Sequence, residues 1–178
     1  MRRISLALAG LCVCVLCAGA SNGMAKTDAR AAALTWLGAQ IHSYQTTTWH
    51  WQHVMGVPTT RTSGVAISRI GLAGAKDALA RWQARAKAVR RRAKHPPHFA
   101  AFMCIHRFEG SWTDSGAPFW GGLQMNFGFQ AAYGSWLLRT KGTADHWSPL
   151  EQIWVAEKAA RSRGFYPWPN TARYCGLI

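Results

Sequence analysis

The chain has 178 residues, with 21 Lys and Arg against seven Asp and Glu, and a formal net charge of +14. Once an export signal is set aside, about 155 residues remain, enough for one domain with a real core or a small domain plus a helical extension. A chain this basic should adhere to polyanions such as anionic cell-wall polymers; it carries no nucleic-acid-reading motif, and export removes nucleic acid as a partner.

Residues 1–25 read as a secretion signal. Arg2 and Arg3 form a positive n-region, Ile4 to Ala18 is apolar, and Ala18-Gly19-Ala20 is a small-residue cleavage site, with Gly23-Met24-Ala25 as a second. The apolar run is about 15 residues against the ~20 that span a bilayer, so no stable membrane span is expected after cleavage. An uncleaved N-terminal anchor is the alternative. Cleavage takes the net charge to +12, because Arg2 and Arg3 leave, and it also removes Cys12, Cys14 and Cys17. The two cysteines that remain, Cys104 and Cys175, fit one disulfide in an oxidising compartment; the other reading is two buried thiols.

Residues 26–97 form a basic helical extension. Thr27 or Asp28 can cap a helix with the stripe Leu34, Leu37, Ile41 and Tyr44. An aromatic segment, Thr46 to Met55, breaks at Gly56-Val57-Pro58, and residues 58–75 have loop composition. A second helix is predicted from about Lys76, with Leu79, Trp82, Ala86 and Val89 on one face. It ends in the run Arg90 to Lys94, which suits the negative end of a helix dipole. His95-Pro96-Pro97-His98 stops it and marks a domain boundary.

Residues 98–178 differ in character. Phe99 to Phe108 predicts a short apolar helix ending at Glu109, and the Gly-rich, aromatic stretch Trp112 to Met125 predicts a small hairpin. A helix over Phe129–Leu138 carries an awkward Gly134. Ser148-Pro149-Leu150-Glu151 supplies an N-cap, a first-turn proline and a capping-box acid for a helix running to about Ser162. The tail from Phe165 is read as irregular. The expected fold class is α+β, mostly helical with a small β-hairpin.

Glu109 stands out because acids are scarce and this one shares helical register with Ile105 and Phe102. Partial desolvation and the negative helix end both favour the neutral carboxylic acid, the state a general acid requires. The plain alternative is a helix-end acid paired with Arg107 or Arg173. Paired histidines, His50 with His53 and His95 with His98, lack an acid or cysteine to complete a metal site. No metal and no cofactor is expected.

Five segments occur in order: Cys104 to Trp112, Phe119-Trp120-Gly121-Gly122-Leu123-Gln124-Met125, Ala132-Tyr133-Gly134, Pro149-Leu150-Glu151-Gln152, and Arg163-Gly164-Phe165-Tyr166-Pro167-Trp168-Pro169 with Cys175. Together they resemble the catalytic domain of resuscitation-promoting factors, the transglycosylase-like branch of the lysozyme superfamily, over residues 98–178. The resemblance implies a lysozyme-like fold and a secreted, bacterial, cell-wall-associated enzyme. Its substrate would be peptidoglycan glycan strands, cleaved between N-acetylmuramic acid and N-acetylglucosamine. Glu109 takes the place of the family's catalytic acid. Gln124 would line the sugar cleft behind a Gly-Gly turn that lets the glycan approach, Phe119, Trp120 and Trp168 would be sugar platforms, and Gln152 would belong to the cleft floor. Cys104 stands five residues before Glu109, where the family places its cysteine immediately before the acid. A lytic transglycosylase needs one carboxylate. A hydrolytic muramidase would need a second, from Asp114 or Asp145, and a non-catalytic wall-binding or signalling protein would need neither.

Overall fold

The computed structural model describes residues 17–178, with side chains from residue 25. Residues 1–16, which hold the n-region and most of the apolar run read as a signal, lie outside the described residues. Among the described residues no helix is long and apolar enough to cross a membrane.

The first helix, α1 (Cys17–Met55), is continuous through the aromatic segment. The buried stripe begun by Leu37 and Ile41 continues through Thr48 and Met55 at helical spacing, with Val54 beside it. The helix ends where Gly56 adopts φ 66°. The second helix, α2 (Ile67–Ala93), begins nine residues before the expected Lys76, and Gly71 inside it has φ 67° and ψ −176°. That residue reverses the chain. Residues 56–66 run back along α1, where the Trp49 indole donates to the Thr60 carbonyl at 2.8 Å and the Gln52 amide brackets Thr60 with bonds of 2.8 and 2.9 Å. Past Gly71 the contacts climb together: Gln83 lies 3.5 Å from the Tyr44 hydroxyl, and Arg90 lies 3.4 Å from that of Thr47. The main part of α2 therefore runs parallel to α1, which a tight turn could not achieve.

The remaining chain is an α+β arrangement: α3 (Phe99–His106), β1 (Phe119–Trp120), β2 (Met125–Asn126), α4 (Phe127–Lys141), a 3-10 turn (Ala144–His146), α5 (Pro149–Arg163) and α6 (Pro169–Tyr174). The strands pair antiparallel, Phe119 with Asn126 and Trp120 with Met125, so the hairpin is shorter than the stretch expected to form it. Gly134 kinks α4 (φ −120°), and a Cβ there would meet the Trp147 ring at 2.6 Å. The capping box of α5 forms as its sequence indicates. The tail is not irregular, because Pro169 starts a helical turn that buries Thr171 and Ala172.

The chain turns at His95–His98, yet one core crosses that point. Val54, Met55 and Ala93 from the extension pack in one cluster with Phe102, Ile105, Leu123, Ile153, Trp154 and Trp168. Polar ties follow the same seam. The Trp154 indole donates to the Ala93 carbonyl at 2.8 Å, and buried Glu157 accepts from His98, at 2.6 Å from its backbone nitrogen and 3.0 Å from its ring.

Candidate active site

Helix α3 lasts eight residues and then tightens. Arg107, Phe108 and Glu109 each donate a backbone N–H three residues back, at 3.1, 2.9 and 3.3 Å. The tighter winding carries Glu109 off the face of Phe102 and Ile105, which are fully buried, and leaves it half-buried. Neither Arg107 nor Arg173 pairs with it. Instead the Thr171 hydroxyl of α6 donates to Glu109 Oε1 at 2.8 Å. Cys104 and Cys175 are bonded, with Cα atoms 6.0 Å apart, so α3 and α6 are stapled close to the Glu109–Thr171 contact. Setting the cysteine one turn earlier than in the resembled family keeps that staple within reach.

Gly110 brings the next group in. A Cβ on it would lie 2.7 Å from Gln124 Nε2 and 3.0 Å from Asp114 Oδ2, so both side chains press on the backbone beside Glu109. The Gln124 amide donates to Asp114 Oδ2 at 2.8 Å and to the Gly121 carbonyl at 3.0 Å, from a backbone at φ 47°. The other oxygen of Asp114 accepts from Gly116 N at 3.0 Å, and its carbonyl accepts from Gly121 N at 2.8 Å. Asp114 thus braces the hairpin with both carboxylate oxygens. Asp145, the other second-acid candidate, lies 3.3 Å from the His146 ring, and its Oδ1 is buried without a hydrogen-bond partner.

The Gly-Gly pair has a different role from the one expected. Both glycines are buried, and the space their side chains would fill holds protein. Gln152 occupies it at Gly121, while Trp112 and His106 occupy it at Gly122. Gln152 is fully buried. Its Oε1 accepts from Gly122 N at 2.8 Å, and its Nε2 lies 2.7, 2.8 and 3.0 Å from the carbonyls of Trp112, Ala144 and Trp147. It is a post beneath the turn, out of reach of a ligand.

A cavity of about 250 Å³ is lined by Phe119, Gln124, Asn126, Phe129, Tyr133 and Trp168 among others. It unites three of the expected sugar contacts: Gln124, Phe119 and Trp168. Glu109 itself does not line it; its neighbour Gly110 lies against the lining residue Gln124, and its partner Thr171 follows the lining residue Trp168 by three positions. Trp168 is 5 % exposed, packs edge-on against Phe102 and Phe129, and donates to the Leu123 carbonyl at 2.7 Å, so little ring surface is left for stacking. Phe119 is exposed at the mouth, whereas Trp120 is half-buried against the core and does not line the cavity. Sequence reading missed Thr171, Phe129 and Tyr133. Thr171 lies 62 positions from its carboxylate partner, and no local pattern marks such a pair.

Of the histidines considered for a metal, His50, His53 and His98 are engaged otherwise. The His50 ring lies 2.8 Å from Glu151, and His53 stacks on Trp136 with centroids 5.0 Å apart. Glu151 also binds Lys141 at 2.7 and 2.9 Å and the Ser148 N–H at 2.7 Å. Burial alone would raise its pKa, but hydrogen bonds from His50, Lys141 and Ser148 outweigh that and bring it down to about 2. It is a fixed anion, unsuited to donating a proton. No known protein family, curated protein or solved structure matches the chain.

Proposed function

We propose that this chain is an exported bacterial enzyme of lysozyme-like fold that cleaves peptidoglycan glycan strands between N-acetylmuramic acid and N-acetylglucosamine, acting as a lytic transglycosylase. The observation that carries the reading is the setting of Glu109. It is a half-buried carboxylate with one oxygen held by Thr171, stapled in place by Cys104–Cys175, and joined through Gly110 to Gln124, which lines a cavity with aromatic walls. In this reading Glu109 Oε2 gives its proton to the leaving glycosidic oxygen as the bond to the anomeric carbon breaks. The resulting carboxylate then takes the proton of the muramyl 6-hydroxyl as that oxygen closes on the cationic carbon, giving an anhydro sugar and regenerating the acid. Thr171 positions the carboxylate, and Phe119 offers a ring face and Gln124 its amide oxygen to the sugar, the amide N–H groups being held by Asp114 and Gly121. Hydrolysis with Asp114 as the second carboxylate is disfavoured because both of its oxygens are committed to the hairpin.

Mass spectrometry of digested peptidoglycan tests this. Anhydro-muramyl ends are expected, reducing ends would identify a hydrolase, and no release would identify a binder. Glu109→Gln should lower turnover at least about 100-fold, the usual scale for a general acid, and undiminished cleavage would remove Glu109 from the mechanism.

A further inference from the structure

The extension carries a second feature that the cleft chemistry does not use. Helix α2 holds eight Lys and Arg against one acid, Asp77, and Lys94 caps its end. Gln83, Lys87, Arg90, Arg91 and Lys94 recur at helical spacing on one face. With Tyr44 of α1 they line a groove of about 480 Å³ between the two helices, and the small, buried Ala86 also lines it, leaving room. All four cations are exposed. Among the described residues, ion pairs join His50 and Lys141 to Glu151, His98 to Glu157 and His146 to Asp145, so no carboxylate neutralises the groove. The helix dipole accounts for cations in the last turn, but not for Lys87, nor for four like charges lining one concavity.

We propose that this groove binds a linear phosphodiester polymer whose phosphates are separated by uncharged units. Arginine presents paired N–H donors that match phosphate oxygens, and lysine adds point charge. From Gln83 to Lys94 the groove runs about 16 Å, long enough to engage successive phosphates rather than one ion. Its concavity suits a chain better than a flat membrane. Its ring content, Tyr44 with its hydroxyl 3.5 Å from the Gln83 amide, gives no series of platforms for stacked bases, which disfavours single-stranded nucleic acid. The site is separate from the cleft and does not depend on the glycan-cleaving reading.

The test titrates the purified protein with labelled poly(glycerol phosphate), a single-stranded oligonucleotide of matched charge, and phosphatidylglycerol vesicles. Replacing Lys87, Arg91 and Lys94 together by Gln should weaken poly(glycerol phosphate) binding about tenfold or more and flatten its salt dependence, because fewer counterions are released. Replacing Arg69, Lys76 and Arg81 by Gln removes the same charge outside the groove and should leave affinity within about twofold. Equal losses in the two variants would mean diffuse attraction and overturn the site. Tighter binding of the oligonucleotide or vesicles through the same residues would overturn the polymer assignment. If the triple variant fails to fold, Lys87→Glu, one exposed position, supplies the same comparison.

Discussion

At the scale of single residues, several side chains that invite a sugar-binding reading are occupied by the protein. Gln152 holds up the Gly121-Gly122 turn, Asp114 ties the hairpin together, and Trp168 is a wall of the core whose indole nitrogen is already bonded. Residue types suited to glycan contact are equally suited to satisfying buried backbone, and sequence alone does not separate the two uses. Thr171 is the converse, an ordinary threonine that holds the carboxylate on which the proposed chemistry depends. Thr171→Val keeps the shape and removes the donor. The expected result is a loss of about 1 kcal/mol in stability and a fall in kcat of about tenfold with KM little changed, because the hydroxyl touches Glu109 and not the substrate. Thr171→Ser should restore most of the rate. A variant with parental kcat would assign Thr171 to packing alone.

At the scale of elements, α5 is where the molecule is joined. Its Glu151 reaches His50 on α1, Lys141 on α4 and the N–H of its own cap, and its Glu157 reaches His98. The folded-state pKa of Glu151, about 2, lies below its ordinary 4.5. Protons therefore bind the unfolded chain more tightly, and the stabilisation is complete above about pH 4.5 and lost as pH falls toward 2. The shift corresponds to about 3 kcal/mol at neutral pH. Unfolding free energies from denaturant titrations between pH 5 and 2 should fall by that amount in the parent and clearly less in Glu151→Gln; parallel curves would show that Glu151 does not drive the acid response. The start of α5 was legible because a capping box is local and its residues are adjacent. The last turns of α1 were not, because Thr48 and Met55 continue an aliphatic stripe in other residue types. The early start of α2 was hidden by Gly71, which reads as loop while serving as a reversal point. α6 was hidden because a single turn starting at Pro169 shows no period.

At the scale of the whole molecule, residues 26–97 are part of the fold and not an appendage. The sequence places a proline-marked stop at 95–98, and the chain does turn there, but composition could not reveal that Val54, Met55 and Ala93 complete the core on the far side. The two buried acids of α5 make the dependence stronger. Without α1, Glu151 loses His50, and a chain starting at 98 would put its terminal amine beside Glu157 in place of an ordered backbone N–H. Glu151 keeps Lys141 and its cap N–H, so losing His50 removes one charge-assisted hydrogen bond, worth about 1.5–3 kcal/mol, and stripping Trp154 and its neighbours of their cover adds exposed apolar surface. That is comparable with the whole stability of a small domain. Residues 98–178 expressed alone should therefore show weak near-ultraviolet circular dichroism, no cooperative thermal transition and rapid amide exchange, even with the Cys104–Cys175 bond formed. Adding a separate 26–97 chain should restore the transition if docking supplies what is missing. A fragment that melts cooperatively unaided would show that the helical pair is held for its charged groove rather than for the core.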